Sequence, residues 1–294
     1  MKTHRLYYLD FLRIIATLAV IMIHVASQSL YYTTDVHSFT WQSLNFWAST
    51  TRWSVPIFVM ISGALFLDPK KPIHLERLYR KNIWRIVCAA AFWHVFYTIY
   101  TFLFEDSRKS VAVHLLIHGY SHLWFLHMII GLYLLVPLLR KITASLPLTR
   151  YFLLLAVVFS IILPTFFGIY NSLTQYHTFP FAIKTVISSF SGLTISVYFS
   201  FTLWFVTYFV AGYYFNHVTL TKKTRLVIYV LAVLGLIVTF LGTNGLSLRY
   251  DDRVTPLYSY MSLNVAASAL GLFVFIKELS RKIDWTGKAS HGTH

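Results

Sequence analysis

The chain has 294 residues, of which 57% are apolar and 12% charged, about half the charged share of a soluble domain. That deficit, with a mean hydropathy of +0.62, excludes an ordinary soluble enzyme and points to a membrane protein. The formal net charge of +15 would suit nucleic acid, but the positive residues stand in short runs between apolar segments, as topology signals do, and a nucleic-acid partner is set aside.

A bilayer crossing needs about 20 predominantly apolar residues. In chain order the segments that qualify are Leu6–Gln28, Leu44–Leu67, Ile83–Phe104, Leu123–Leu139, Tyr151–Tyr170, Val197–Phe215, Leu226–Gly242 and Leu257–Ile276. Phe181–Ser196 is also apolar but carries Lys184 and many small polar residues, which fits an interfacial helix or a short extra span. The first segment is no cleavable leader, because it holds Asp10 and Arg13 and lacks a small-residue cleavage site. The fold class expected is all-α: a polytopic transmembrane helix bundle of eight or nine spans, with the lipid bilayer as its partner. No long hydrophilic stretch interrupts it, so residues 1–294 read as a single integral-membrane domain. The lone cysteine, Cys88, rules out a disulfide within the chain.

Charge sets the orientation. With the spans alternating, 18 Lys and Arg fall on the side of the N-terminus and 6 on the other, while Arg13 lies within the first span. Positive residues favour the cytoplasm, so the expected protein is multi-pass in the cell (plasma) membrane with a cytoplasmic N-terminus. The same split disfavours Phe181–Ser196 as a crossing, since that would invert every later segment.

The first span carries a polar stripe. Arg13 and His24 are eleven residues apart, within about 20° of three full helical turns, and so share a face about 16 Å apart along the axis. Asp10, Thr17, Ser27 and Gln28 stand at helical spacing from them. A charge within a span costs about 2.5–3.5 kcal/mol even on lenient scales and marks a cavity or a partner. The structural reading pairs Asp10 with Arg13 and leaves His24 to cap a carbonyl. The functional reading gives Arg13 to an anionic ligand entering from the cytoplasm, and makes His24, near mid-membrane, the acid–base group, because imidazole titrates near working pH.

The Arg–x10–His spacing resembles the membrane acyltransferase 3 family, in particular its surface-polysaccharide O-acetyltransferase branch. Val55-Pro-Ile-Phe-Val-Met-Ile-Ser62-Gly63 is similar to its second-helix Ser-Gly motif, and Arg77-Leu-Tyr-Arg80 to its Arg-x-x-Arg pair on the following cytoplasmic loop. His122-Leu-Trp124-Phe-Leu126, through Tyr133 and Pro137, resembles the family's Trp-Phe-Leu helix, and Tyr208-Phe-Val-Ala-Gly212 a later glycine-containing one. The resemblance covers nearly the whole chain. It implies about ten transmembrane helices that move an acyl group, usually acetyl, from cytoplasmic acetyl-CoA or another acyl-CoA to a hydroxyl of a cell-envelope glycan or its lipid-linked precursor. It implies catalytic roles for Arg13 and His24 and a coenzyme-binding role for Arg77 and Arg80. Independently, Arg77 and Arg80 fall in the most basic segment between spans, and arginine's forked donors suit phosphate; plain topology signalling explains that segment equally well. Gly287–His294 looks like the opening of the family's last helix, and a truncated final helix is expected.

Remaining candidates are Asp10, Ser62, Trp124 and His127 as cavity residues, with His127 one turn past Trp124. His114, His118 and His122 have helical spacing, but no acidic partner is fixed by it, and no metal is expected. Arg52 and Trp53 begin the second span at its outer side, where an interface anchor is the default reading and contact with an acceptor the other, and Asp251-Asp252-Arg253 reads as a solvated outer loop. There is no Walker loop, dinucleotide fingerprint or HExxH. A transporter or flippase using the same stripe is the rival function. It should show internal repeats, and none is evident; a catalytically dead membrane subunit is the third reading.

Overall fold

The computed structural model describes residues 6–104, 116, 119–177, 179–196 and 204–282. Among them there is no strand. The helices are α1 (Tyr7–Tyr32), α2 (Phe39–Thr51), α3 (Ser54–Phe66), α4 (Leu75–Phe104), α5 (Trp124–Thr143), α6 (Leu146–Leu173), α7 (Phe181–Ser196), α8 (Val206–His217), α9 (Lys222–Tyr250) and α10 (Leu263–Ser280). A 3₁₀ turn, Pro256–Tyr258, leads into α10. Among the described residues six stretches are long and apolar enough to cross a membrane: α1, α4, α5, α6, α9 and Pro256–Ser280. The all-α membrane bundle is as expected.

Two segments differ from the sequence-based expectation. The second span is not one helix but two, α2 and α3, parted at Arg52-Trp53. Pro56 is the cause, because it has no N–H to offer the Arg52 carbonyl and its ring crowds that oxygen; it is tolerated in the first turn of α3, where amides lack helical partners anyway. α4 begins eight residues before the expected Ile83, so Arg77 and Arg80 stand on helix rather than loop. An ion pair across one turn, Arg80 Nη1 to Glu76 Oε1 at 2.8 Å, supports that extension. α7 has the bounds expected for Phe181–Ser196 and, at 16 residues, is shorter than a crossing requires, in line with the charge count. The expected span Val197–Phe215 falls partly, and Gly287–His294 wholly, outside the described residues.

The chain forms two compact units, residues 1–65 with 149–294, and residues 66–148. In the first, α1 packs on α2 and α10, and α10 lies along α9. Glycines set the closest crossings. A Cβ on Gly63 would stand 1.7 Å from the Phe209 carbonyl oxygen, and one on Gly212 would stand 2.0 Å from that of Met60. α3 and α8 thus touch backbone to backbone, through the two glycine motifs noted in the sequence. Gly235, against the Asn264 carbonyl, and Gly271, against Ala232, do the same for α9 and α10. Lipid gives helices no hydrophobic reason to associate, so such close packing is what holds them.

The two ends of this unit differ in chemistry. One gathers Arg150, Lys222, Arg225, Lys277 and Arg281. There Lys277 Nζ donates to the Phe215 and Val218 carbonyls at 2.6 and 3.0 Å, capping α8. Glu278 binds both Arg225 and Arg281, the latter at 2.8 Å. At the opposite end Asp251, with φ of 49°, terminates α9. Beside it Tyr176 donates to Asp252 Oδ2 at 2.6 Å and stacks on Tyr250 at 4.3 Å. His37 lies 3.3 Å from Asp251, and Arg253 sits over the Tyr31 ring at 4.7 Å. The Asp251-Asp252-Arg253 segment is therefore exposed, as expected, but also clasps α1, the α1–α2 turn, α6 and α9 together.

In the second unit α4 packs against α5. Arg140 of α5 reaches back to the Phe66 and Lys71 carbonyls at 3.0 and 2.5 Å, and Thr143 to Leu67 at 2.7 Å. These bonds fix the short connection that leads into Arg77.

Candidate active site

α1 buries one seam and leaves another open. Tyr8, Leu12, Ala16, Ala19, Ile23, Ala26 and Leu30 are buried, recurring at intervals of three and four residues as a helix packed on one side requires. Arg13 and His24 each follow a buried residue by one position, about 100° round the helix, and both are exposed. Arg13 Nη1 bonds Asp10 Oδ1 at 3.1 Å, the pairing the spacing permits, and the Thr17 hydroxyl turns back to the Arg13 carbonyl at 2.8 Å. His24 lies about 7 Å beyond the midpoint of the helix, on the side away from its N-terminus.

Arg52 joins this stripe. The Pro56 break puts it at the α2–α3 junction, where Nη2 donates to Ser27 Oγ at 3.1 Å, one helical turn from His24. Its guanidinium lies over the Tyr258 ring, 4.2 Å from the centroid, and bonds the Tyr260 side chain. Buried hydrogen bonds hold the platform. The Tyr258 hydroxyl donates to Asn45 Oδ1 at 2.5 Å, and Ser49 Oγ donates to the same oxygen at 3.1 Å. Among the described residues no ion pair neutralises Arg52, and its Nε is shut from solvent without a hydrogen-bond partner. The sequence reading made Arg52 an interface anchor; the structure makes it a fixed positive group beside the histidine. Ser62, half-buried on α3, directly precedes the crossing glycine Gly63.

The second unit carries the other candidates in two separate places. Arg77 and Arg80 are exposed at the start of α4, and Arg80 is engaged with Glu76. About 20 Å farther along α4, His94 packs its ring against that of His127 at 5.0 Å. His94 is buried; its Nδ1 meets the Leu116 carbonyl at 3.1 Å, while Nε2 has no hydrogen-bond partner. Gly119, with φ of 71°, lies so close that a Cβ would stand 2.5 Å from that Nε2. Trp124 is half-buried at the start of α5 with its ring 6.2 Å from Phe125. His122 packs on Tyr97 and Tyr120. His94 was passed over because a single histidine inside an apolar run has no spacing signal. His114 and His118 lie outside the described residues, and among the described ones no group of three potential ligands is placed to hold a metal.

A helical bundle with an arginine–histidine stripe on a crossing helix defines a multi-pass membrane protein with polar chemistry inside the bilayer. A family model described as an acyltransferase domain matches residues 6–289. The chain belongs to the membrane acyltransferase 3 family and is a membrane acyltransferase. No curated protein and no solved structure matches it.

Proposed function

We propose that the chain is an O-acyltransferase that takes an acyl group, acetyl in the simplest case, from acyl-CoA. It passes that group to a hydroxyl of a cell-surface polysaccharide or its lipid-linked precursor. The observation that carries this reading is the meeting of His24 and Arg52 across Ser27: a base and a fixed cation within one helical turn. The basic end of the first unit is the cytoplasmic one under the positive-inside rule, and the membrane is the plasma membrane. In the first unit the donor's anionic end is assigned to Arg13 and its thioester to His24; Arg77 and Arg80, in the second unit, are assigned to the donor's phosphates on the Arg-x-x-Arg motif they form.

His24 takes the proton from the acceptor hydroxyl as its oxygen bonds to the thioester carbonyl carbon. The oxyanion that forms is stabilised by the Arg52 guanidinium. The carbon–sulfur bond then breaks, and the coenzyme thiolate recovers the proton from the imidazolium. Atoms and charge balance without a metal or an oxidant.

The test is transfer of labelled acetyl from acetyl-CoA to a cell-wall glycan extract by purified protein. Label is preferred to thiol detection because Cys88 is free and exposed. His24→Ala should lower turnover by about 10²–10⁴-fold while membrane insertion and thermal stability stay as in the parent. Full turnover in that variant refutes the assignment.

A further inference from the structure

A second site lies in the first unit, away from the stripe. α6, α8, α9 and α10 leave between them a cavity of about 480 Å³ whose wall is almost wholly apolar. Small side chains open it: Ala211 on α8, and Ala266 and Ala267 on α10. Its direction is fixed by three contacts. Arg150 Nε donates to the Tyr214 hydroxyl at 3.3 Å at one end. Neighbouring Phe215 gives its carbonyl to Lys277, so this is the basic end. At the other end Leu263 N bonds Thr165 at 2.8 Å, one turn beyond the lining residue Ile161.

From Arg150 to Ile161 along α6 is eleven residues, about 16 Å. One leaflet of hydrocarbon is about 15 Å deep. The cavity therefore spans a single leaflet and ends at an exposed guanidinium where the headgroups lie. Two further polar side chains lie at depth: Thr207 is buried, and Tyr208 is committed through its hydroxyl to the Tyr260 carbonyl at 2.5 Å. A polar substrate would find little to bind in so apolar a wall, whereas an acyl chain would be accommodated along its length.

We propose that this groove binds one anionic phospholipid, with an acyl chain between α6 and α8–α10 and its phosphate on Arg150. The excess positive charge at that end, Lys222 together with Arg225 and Arg281 around the single carboxylate of Glu278, supplies the preference for a net negative headgroup. The inference does not rest on the acyl-transfer reading, and its readout is independent of activity.

The experiment is thermal unfolding of the detergent-purified full chain, titrated with phosphatidylglycerol, phosphatidylcholine or undecaprenyl phosphate. Phosphatidylglycerol should raise the melting temperature more than phosphatidylcholine of the same chain length. Arg150→Gln, at an exposed position, should weaken the apparent phosphatidylglycerol affinity about fivefold. Ala267→Leu should fill the groove and remove the response to both phospholipids. Equal responses to the two phospholipids, or an unchanged response in Arg150→Gln, overturns the proposal. A response to undecaprenyl phosphate alone also overturns it, by giving the groove to a lipid-linked acceptor.

Discussion

Arg52 and His24 show how far a single residue's meaning depends on its neighbour in space. The eleven-residue spacing made the Arg13–His24 stripe legible, because a helix converts spacing directly into direction. Arg52 was not legible in that way. Its direction is set by a proline four residues later and by an aromatic platform some two hundred residues away in sequence, Tyr258 and Tyr260. Arg52→Gln removes the charge beside the histidine but leaves the Tyr258–Asn45–Ser49 bonds in place. Turnover should fall by about 10²-fold or more, in kcat rather than KM, with thermal stability little changed. Arg52→Lys should recover part of that loss, since a point charge replaces only some of what the fork supplies. A KM effect alone would make Arg52 a binding residue instead.

At the scale of elements, two sequence motifs have a packing cause. Ser62-Gly63 and Ala211-Gly212 sit where α3 and α8 cross with main chains in contact. They were readable as family signatures, but their physical role needed the partner helix. Gly63→Ala or Gly212→Ala forces the helices apart and should cost about 1–3 kcal/mol, read as a lower melting temperature in detergent. Gly131→Ala is the control, because nothing lies within 4 Å of a Cβ there; it should be neutral or slightly stabilising, since alanine orders a helix more easily than glycine. Equal losses at all three positions would point to a general intolerance of α-helical substitution. The helix ends were the least legible feature. α4 and α9 run past the apolar windows that first marked them, because backbone hydrogen bonding continues wherever side chains permit it, whatever the hydropathy.

For the whole molecule, composition alone established the membrane class, since a chain this poor in charge cannot cover a soluble surface. The count of spans was harder to read, because Leu44–Leu67 has the hydropathy of one helix and the backbone of two. The distribution of charge was legible as an alternation along the chain, and within the first unit it reappears as one basic end and one clasped end. That clasp responds to protons. The Tyr176 phenol, donating to Asp252, is pushed up to about 12, and the same bond, followed by the Arg253 amide, holds the Asp252 carboxyl below its ordinary 3.8. A depressed carboxyl stabilises the fold above its unfolded value and loses that contribution as pH falls through the folded one. A raised phenol contributes below its unfolded value of 10.0 and loses the contribution as pH climbs through about 12. The Tyr176–Asp252 bond therefore contributes throughout the neutral range and loses its contribution in acid below about pH 4. Asp252→Asn should flatten the acid limb of a melting-temperature profile, and an unaltered limb would mean the clasp bears no load. Strong acid on the side of the membrane that this end faces would weaken the tie between the end of α6 and the end of α9, leaving the Tyr176–Tyr250 stack to hold their tips together.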